Sequence, residues 1–134
     1  MEIRPAHSGD LDLILRYDRH IRREEAEFSV RRNWIFMAEE NKEFCGWLRY
    51  NLFWDSIPFM NMLFILEKAR GKAFGKRLVG YWEDEMRKQA YKTVMTSTAS
   101  DEYAQHFYRK LGYQAVGGFL PDGEPYEAIF LKRL

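Results

Sequence analysis

The sequence predicts a mixed α/β fold, one sheet with a parallel strand–helix–strand unit inside it. Three observations carry this. Apolar residues switch between strand-like and helix-like spacing in the order strand, two helices, three strands, helix, strand, helix, two strands. An apolar run, Phe59 to Leu66, passes through a glycine-punctuated turn into a helix pattern, Phe74 to Ala90, and then into a further strand pattern, Thr93 to Thr98. A unit of that kind closes as a right-handed parallel crossover. Two other pairs of strand patterns are joined by short polar links, which favour antiparallel hairpins.

Taken from the start, Ile3 to Ala6 is a short strand broken by Pro5. Ser8 is placed to cap a helix, with Asp10 and Asp12 in its favourable first turn and a stripe of Leu11, Ile14 and Leu15 running to about His20. Ile21 to Arg32 is a second, charged helix whose apolar positions are Ala26, Phe28 and Val30. Trp34 to Ala38 and Glu43 to Phe53 are strands around the polar turn 39–42, and Trp54 to Pro58 is a loop. Phe59 to Leu66 is apolar at nearly every position, which predicts burial on both faces. On the long helix, Phe74, Leu78, Tyr81, Trp82 and Met86 share one face. Asp101 to Leu111 is a helix capped by Ser100 or Asp101, carrying Ala104, Phe107, Tyr108 and Leu111 on one face and ended by Gly112. Gln114 to Leu120 and Tyr126 to Leu131 form a last hairpin around Pro121-Asp122-Gly123-Glu124-Pro125.

A chain of 134 residues, 46% hydrophobic and 31% charged, fits one globular domain over 1–134 and argues against disorder. A net charge of +1 points to neither nucleic acid nor membrane. The arginines at 16, 19, 22, 23, 31 and 32 are interleaved with Glu24, Glu25 and Glu27, whereas phosphate backbones select single-sign stripes. The lone Cys45 allows no internal disulfide and reads as a small buried hydrophobe. The N-terminus lacks the apolar core of a signal peptide, and the run 59–66 is far too short to span a bilayer, so a cytoplasmic location is expected.

The stretch Ile65 to Lys76 carries the chemistry. Glycines at 71 and 75 remove side chains and permit positive φ. The first amides of the helix that follows have no intrahelical acceptor, and its dipole adds about half a positive charge. Lys72, Lys76 and Arg77 add full charges, giving a cradle for a diphosphate. The spacing excludes a Walker loop, since three residues separate Gly71 from Gly75 and Arg77 follows Lys76; the dinucleotide pattern G-x-G-x-x-G is also missing. A plain strand-to-helix connection with a basic end remains the bland alternative for this segment alone.

Arg70, Ala73 and Gly75 meet the pattern Arg/Gln-x-x-Gly/Ala-x-Gly/Ala, and Ala104 to Tyr113 meets Ala-x-x-x-Tyr-x-x-x-Gly-Phe/Tyr. Together these resemble the two signatures of the GNAT superfamily of N-acetyltransferases, at the expected distance and with matching element order along nearly the whole chain. The resemblance implies a mostly antiparallel sheet of six to seven strands with helices on both faces, and acetyl-CoA as cosubstrate. It implies that Leu63, Phe64 and Ile65 pair with the pantetheine arm, the Ile65 amide facing the acetyl carbonyl. Arg70, Gly71, Lys72, Ala73, Phe74, Gly75 and Lys76 would hold the diphosphate, and Tyr108 would face the sulfur as the catalytic proton donor. Asp101 stands where many members have Asn, and it has no NH₂ to donate.

Acyl transfer develops an oxyanion, which one fixed amide can stabilise, and a thiolate, which a tyrosine hydroxyl can protonate. The thioester arrives activated, so the chemistry requires no metal. For the general base, related N-terminal acetyltransferases carry Glu where this chain has Thr96; Asp55 is the preferred substitute, with Glu67, Glu124 and Glu127 as rivals, and His106 points off the Tyr108 face. The expected function is direct acetyl transfer from acetyl-CoA to a primary amine of a small molecule, peptide or protein, by a monomer or homodimer without nucleic-acid or membrane partners. A non-catalytic domain that binds CoA or another protein on the same fold is the alternative.

Overall fold

Alternating β-branched and aromatic residues form the strands, and the charged amphipathic runs form the helices, in a computed structural model that describes every residue from Met1 to Leu134. The elements are β1 (Glu2–Pro5), a 3-10 turn (Ser8–Asp10), α1 (Leu11–Tyr17), α2 (Arg23–Arg31), β2 (Ile35–Glu40), β3 (Glu43–Phe53), β4 (Ile57–Ile65), α3 (Phe74–Lys88), β5 (Thr93–Ala99), α4 (Ala104–Lys110), β6 (Gln114–Phe119) and β7 (Glu127–Arg133). The strands order as β1-β2-β3-β4-β5-β7-β6. The sheet is mostly antiparallel, with β4 and β5 parallel, pairing Phe59 with Met95 and Met60 with Thr96. Both expected hairpins form: β2 with β3, and β6 with β7. The last strand lies between β5 and β6, so the final hairpin folds back on the crossover.

The chain divides into two compact units, Met1–Asn51 with Met62–Tyr81 and Leu52–Asn61 with Trp82–Leu134. In the first, Ala6, Ile14, Val30, Ile35, Met37 and Trp47 make one core. A fully buried large side chain of this kind contributes about 2–3 kcal/mol. Asp18, at the end of α1, is buried and takes the Arg49 guanidinium through Nε (2.8 Å) and Nη2 (3.3 Å), with the Trp47 indole N–H at 3.3 Å. Gly46 is required by close approach: a Cβ there would lie 2.5 Å from the Phe64 carbonyl oxygen. The arginines around α2 are used locally, Arg32 lying over the rings of Phe28 and Trp34 and Arg23 pairing with Asp12.

In the second unit Trp82, Met86, Val94, Tyr108, Tyr113 and Phe130 are buried. Glu83, also buried, accepts from the Tyr113 hydroxyl (2.8 Å) and from Lys132 Nζ (2.9 Å), tying α3 to the start of β6 and to β7. The phenol of Tyr113 is pushed up by burial and then by the charge of Glu83.

Three expectations fail locally. Ser8 is not the cap: Asp10 accepts from the His7 amide (2.8 Å) and from Arg4; burial, the largest single influence, raises its pKa, but Arg4 and His7 together leave it lowered. Strand β4 is not buried on both faces, since only Pro58 and Met60 are buried and Phe64 keeps 37% of its surface. Helix α4 begins at Ala104, after Tyr103 and with no side-chain cap, because Gln105 Nε2 donates to Ser100 O and the Glu102 amide to Ala99 O, winding 100–103 into a turn.

Candidate active site

The first part of the site lies between β4 and α3, in the first unit. Residues Glu67–Ala69 form one 3-10 turn, and Arg70 then runs extended. Gly71 takes φ +80° with open space around it, as expected of a glycine in a turn. Ala73 also takes a left-handed φ of 60°, which costs an L-residue about 1–2 kcal/mol. Gly75, expected to share this freedom, is instead helical. Ala73 O accepts the first bond back from the helix, from the Arg77 amide at 3.1 Å, so the amides of Phe74, Gly75 and Lys76 are left by helix geometry without an intrahelical acceptor. Left-handed residues beside open helix amides form the kind of concavity that binds oxyanions.

The side chains organise this loop. Arg70 Nε donates to Ile65 O at 2.9 Å, and its guanidinium lies 5.2 Å from the Phe64 ring centroid. Phe64 in turn packs 5.2 Å from Trp47. So the structure brings Arg70 onto Phe64 and Ile65, residues singled out for different roles. Leu63 and Ile65 are half-buried and Phe64 is exposed. Buried Phe74 anchors the first turn of α3, with Lys72 and Arg77 at 5.9 and 5.8 Å from its ring. Lys72 pairs with Glu40 (3.2 Å) and Lys68 with Glu43 (3.3 Å), both exposed and worth about 0–1 kcal/mol each, so Lys72 is easily released to a phosphate. Glu40, Glu43, Lys68 and Ala69, with Cys45, also line a pocket of about 210 Å³. Burial and then Glu40 push the Cys45 thiol up, and Sγ donates to Ala38 O, so it is the inert small residue expected.

The second part belongs to the second unit. Tyr108, on α4, keeps 7% of its surface and packs against the rings of Phe107, Tyr113 and Phe130 at 5.3, 5.7 and 6.4 Å. Burial pushes its pKa up to about 12, so it is a neutral phenol at physiological pH. On the neighbouring strand, Thr96 Oγ1 donates to Met60 O at 2.9 Å. Sequence reasoning saw Thr96 only as a missing glutamate; the signal available was strand alternation, which sets Thr96 on the face of buried Val94 and Thr98.

Asp101 is exposed in the turn before α4. Asp55 is exposed at the tip of the β3–β4 turn, with φ 60°, beside Trp54 with φ 55° and 78% exposure. Met60, the residue bonded to Thr96, lies three positions into β4, roughly 10 Å further along the strand. Among the rivals, Glu67 and Glu124 are exposed, while Glu127 accepts from Ser97 Oγ at 2.7 Å. His106 is exposed against Tyr103, off the Tyr108 face as expected. No cluster of three or more His, Cys, Asp or Glu is arranged to hold a metal ion, and no helix is long and apolar enough to cross a membrane.

The family model of the Acetyltransferase (GNAT) family matches residues 4–113, which takes in the loop 70–76 and Tyr108. The chain belongs to that family. As a GNAT acetyltransferase it uses acetyl-CoA as cosubstrate. No curated protein matches the sequence. Solved structures share its fold. The PaiA N-acetyltransferase of Thermoplasma acidophilum, in complex with coenzyme A, is 16% identical with a TM-score of 0.79, over 99% of this chain and 98% of that one. The ribosomal-protein-S18-alanine N-acetyltransferase of Escherichia coli is 14% identical with a TM-score of 0.82, over 98% and 92%. The N-acetylglutamate synthase of Neisseria gonorrhoeae, complexed with coenzyme A and N-acetyl-glutamate, is 20% identical with a TM-score of 0.83; this GNAT chain is matched over 99% of its length and spans 35% of that one.

Proposed function

We propose that this GNAT domain, a single domain over 1–134, transfers the acetyl group of acetyl-CoA directly to a primary amine, and that a free α-amine of a small molecule or peptide is its acceptor. The observation that carries the reading is the loop 70–76: left-handed Gly71 and Ala73, helix amides at 74–76 without an intrahelical acceptor, and loosely paired Lys72. These suit a diphosphate, which Lys76 and Arg77 further attract. The backbone of Leu63, Phe64 and Ile65 would pair with the amide-rich pantetheine arm. The thioester supplies an acetyl group already activated for attack. An amide at Ile65 donates to the carbonyl oxygen as charge develops there, and the neutral phenol of Tyr108 gives its proton to the departing sulfur. Asp101 borders the same ligand at the head of α4.

An α-amine, with a pKa near 8, has a usable neutral fraction at pH 7, whereas a lysine amine near 10.4 depends on a base. Asp55 is the candidate base, and Asp55→Asn decides its part. As the base, its loss lowers kcat about 10²-fold; turnover within twofold of wild type removes it from the mechanism. The buried thiol of Cys45 suits a reducing compartment such as the cytoplasm.

Isothermal titration with acetyl-CoA and with CoA tests the cradle, and no heat at millimolar ligand rejects it. A panel of amines, polyamines, aminoglycosides and N-terminal peptides, read by free-thiol release, then tests transfer. Binding of CoA without thiol release to any of them would reassign the domain as a non-catalytic CoA binder.

A further inference from the structure

The two edges of the sheet are guarded differently. At one edge, β1 is four residues long and carries Glu2, Arg4 and Pro5, with Arg4 held by Glu39 and Asp10. Short length, charge and proline are the usual means by which an edge strand avoids pairing with another chain. At the other edge, β6 has neither charge nor proline. No residue from Gly112 to Pro121 is charged, and all six residues of the strand are exposed. Its one irregularity is a register shift between Ala115 and Gly117, which turns Val116 out of the ladder with β7; pairing resumes at Gly117. Val116, Phe119 and Leu120 are each more than half exposed. Tyr126 lies against the same strand, since a Cβ on Gly118 would meet its hydroxyl at 2.5 Å. These four side chains present roughly 400 Å² of surface, the size at which an apolar patch marks an interaction site.

The charges that flank β6 select the partner. Asp122 and Glu124, both exposed, follow the strand across the hairpin tip, and Glu127 opens β7. Arg109 and Lys110, exposed at the end of α4, precede it, and Lys132 reaches Gly112, whose Cβ would lie 3.5 Å from the lysine Cε. The edge is therefore positive at its start, neutral along its length and negative at its end. A two-fold axis that pairs two such edges antiparallel sets the negative end of each beside the positive start of the other. An unrelated strand would have to carry the same order of charges; a second copy supplies it by symmetry. With the axis near Gly118, Phe119 faces Gly117 of the second copy, which has no side chain to obstruct the ring, and Val116 faces Leu120. We propose that β6 is the interface between two copies of this chain, joined edge to edge as an antiparallel β6–β6 pair that continues the sheet across the dimer. The contact buries on the order of 1,000 Å², at the low end for a specific interface, so the dimer is reversible. It forms whether or not acetyl transfer occurs.

Sedimentation velocity on the full chain, from about 1 to 300 μM, tests this. The wild type passes from monomer to dimer within that range, and added salt moves the midpoint to higher concentration. Leu120→Lys sets a charge into the pair and raises the dimer dissociation constant about tenfold, with the circular dichroism spectrum unchanged. Should Leu120→Lys not fold, Val116→Lys carries the same comparison. Glu2→Lys, on the opposite edge, leaves the constant within about twofold of wild type. Glu124→Lys and Lys110→Glu each weaken the dimer about threefold, and the two together restore it. Oxidation of the double variant Val116→Cys/Leu120→Cys gives a disulfide-linked dimer, and oxidation of either single variant does not; Cys45 is buried and takes no part. A chain that stays monomeric across the whole range overturns the proposal, as does a dimer indifferent to Leu120→Lys, whose contact then lies elsewhere, or a double charge variant no tighter than its parents. A monomer in which Leu120→Lys raises the KM for trialanine as acceptor also overturns it and assigns the edge to an acceptor peptide.

Discussion

The diphosphate loop and the tyrosine pocket solve opposite problems. The loop is exposed, cationic and made largely of backbone, and its lysines are held by carboxylates that grip them weakly. The pocket is buried and made of side chains, with Tyr108 packed among aromatic rings. Water and salt screen the first and do not reach the second. Affinity for a charged carrier is therefore set at the surface, and the reactivity of the proton donor is set inside.

Tyr108→Phe is the sharpest cut through this contrast. It is expected to lower kcat by about 10²- to 10⁴-fold while the affinity for CoA, measured by titration, stays within twofold. A parallel loss of affinity would mean that the two parts are not separable. Next in size is alkaline stability. The Tyr108 phenol ionises near pH 10 unfolded and near 12 folded, so its contribution is whole below pH 10 and is lost as the pH rises to 12. Urea unfolding across that window should cost the wild type about 2–3 kcal/mol more than Tyr108→Phe. In the loop, Gly71→Val forces a β-branched residue into φ +80°, and CoA binding should weaken about tenfold with kcat preserved at saturation. The smallest effect is expected from Glu40→Gln, which releases Lys72 and should tighten CoA by about two- to threefold at low salt, a gain that vanishes at high salt.

The same contrast explains what could be read from the sequence. The loop was legible because its determinants are neighbours in the chain: glycine, cations and a helix start need no tertiary knowledge. The hairpins were legible for the same reason. The alanine that shares the left-handed conformation with Gly71 was hidden, since only a glycine announces positive φ. Tyr108 was visible as a type at a spacing, but its surroundings were not, because Tyr113 and Phe130 reach it from segments that follow it in the chain. The helix cap expected at Ser100 or Asp101 failed where side chains found local partners first, and the double-sided burial expected of β4 failed because apolar sequence cannot distinguish a strand covered by its own chain from one left open.

Arg70 joins the end of β4 to the loop that follows, through its bond to Ile65 O and its place over Phe64. A strap of this kind lets the phosphate-facing backbone keep its shape while nothing is bound. Little disorder then has to be quenched on association, so capture of the carrier should be fast and mildly temperature-dependent. Cutting the strap with Arg70→Ala should show first as slower capture rather than faster escape.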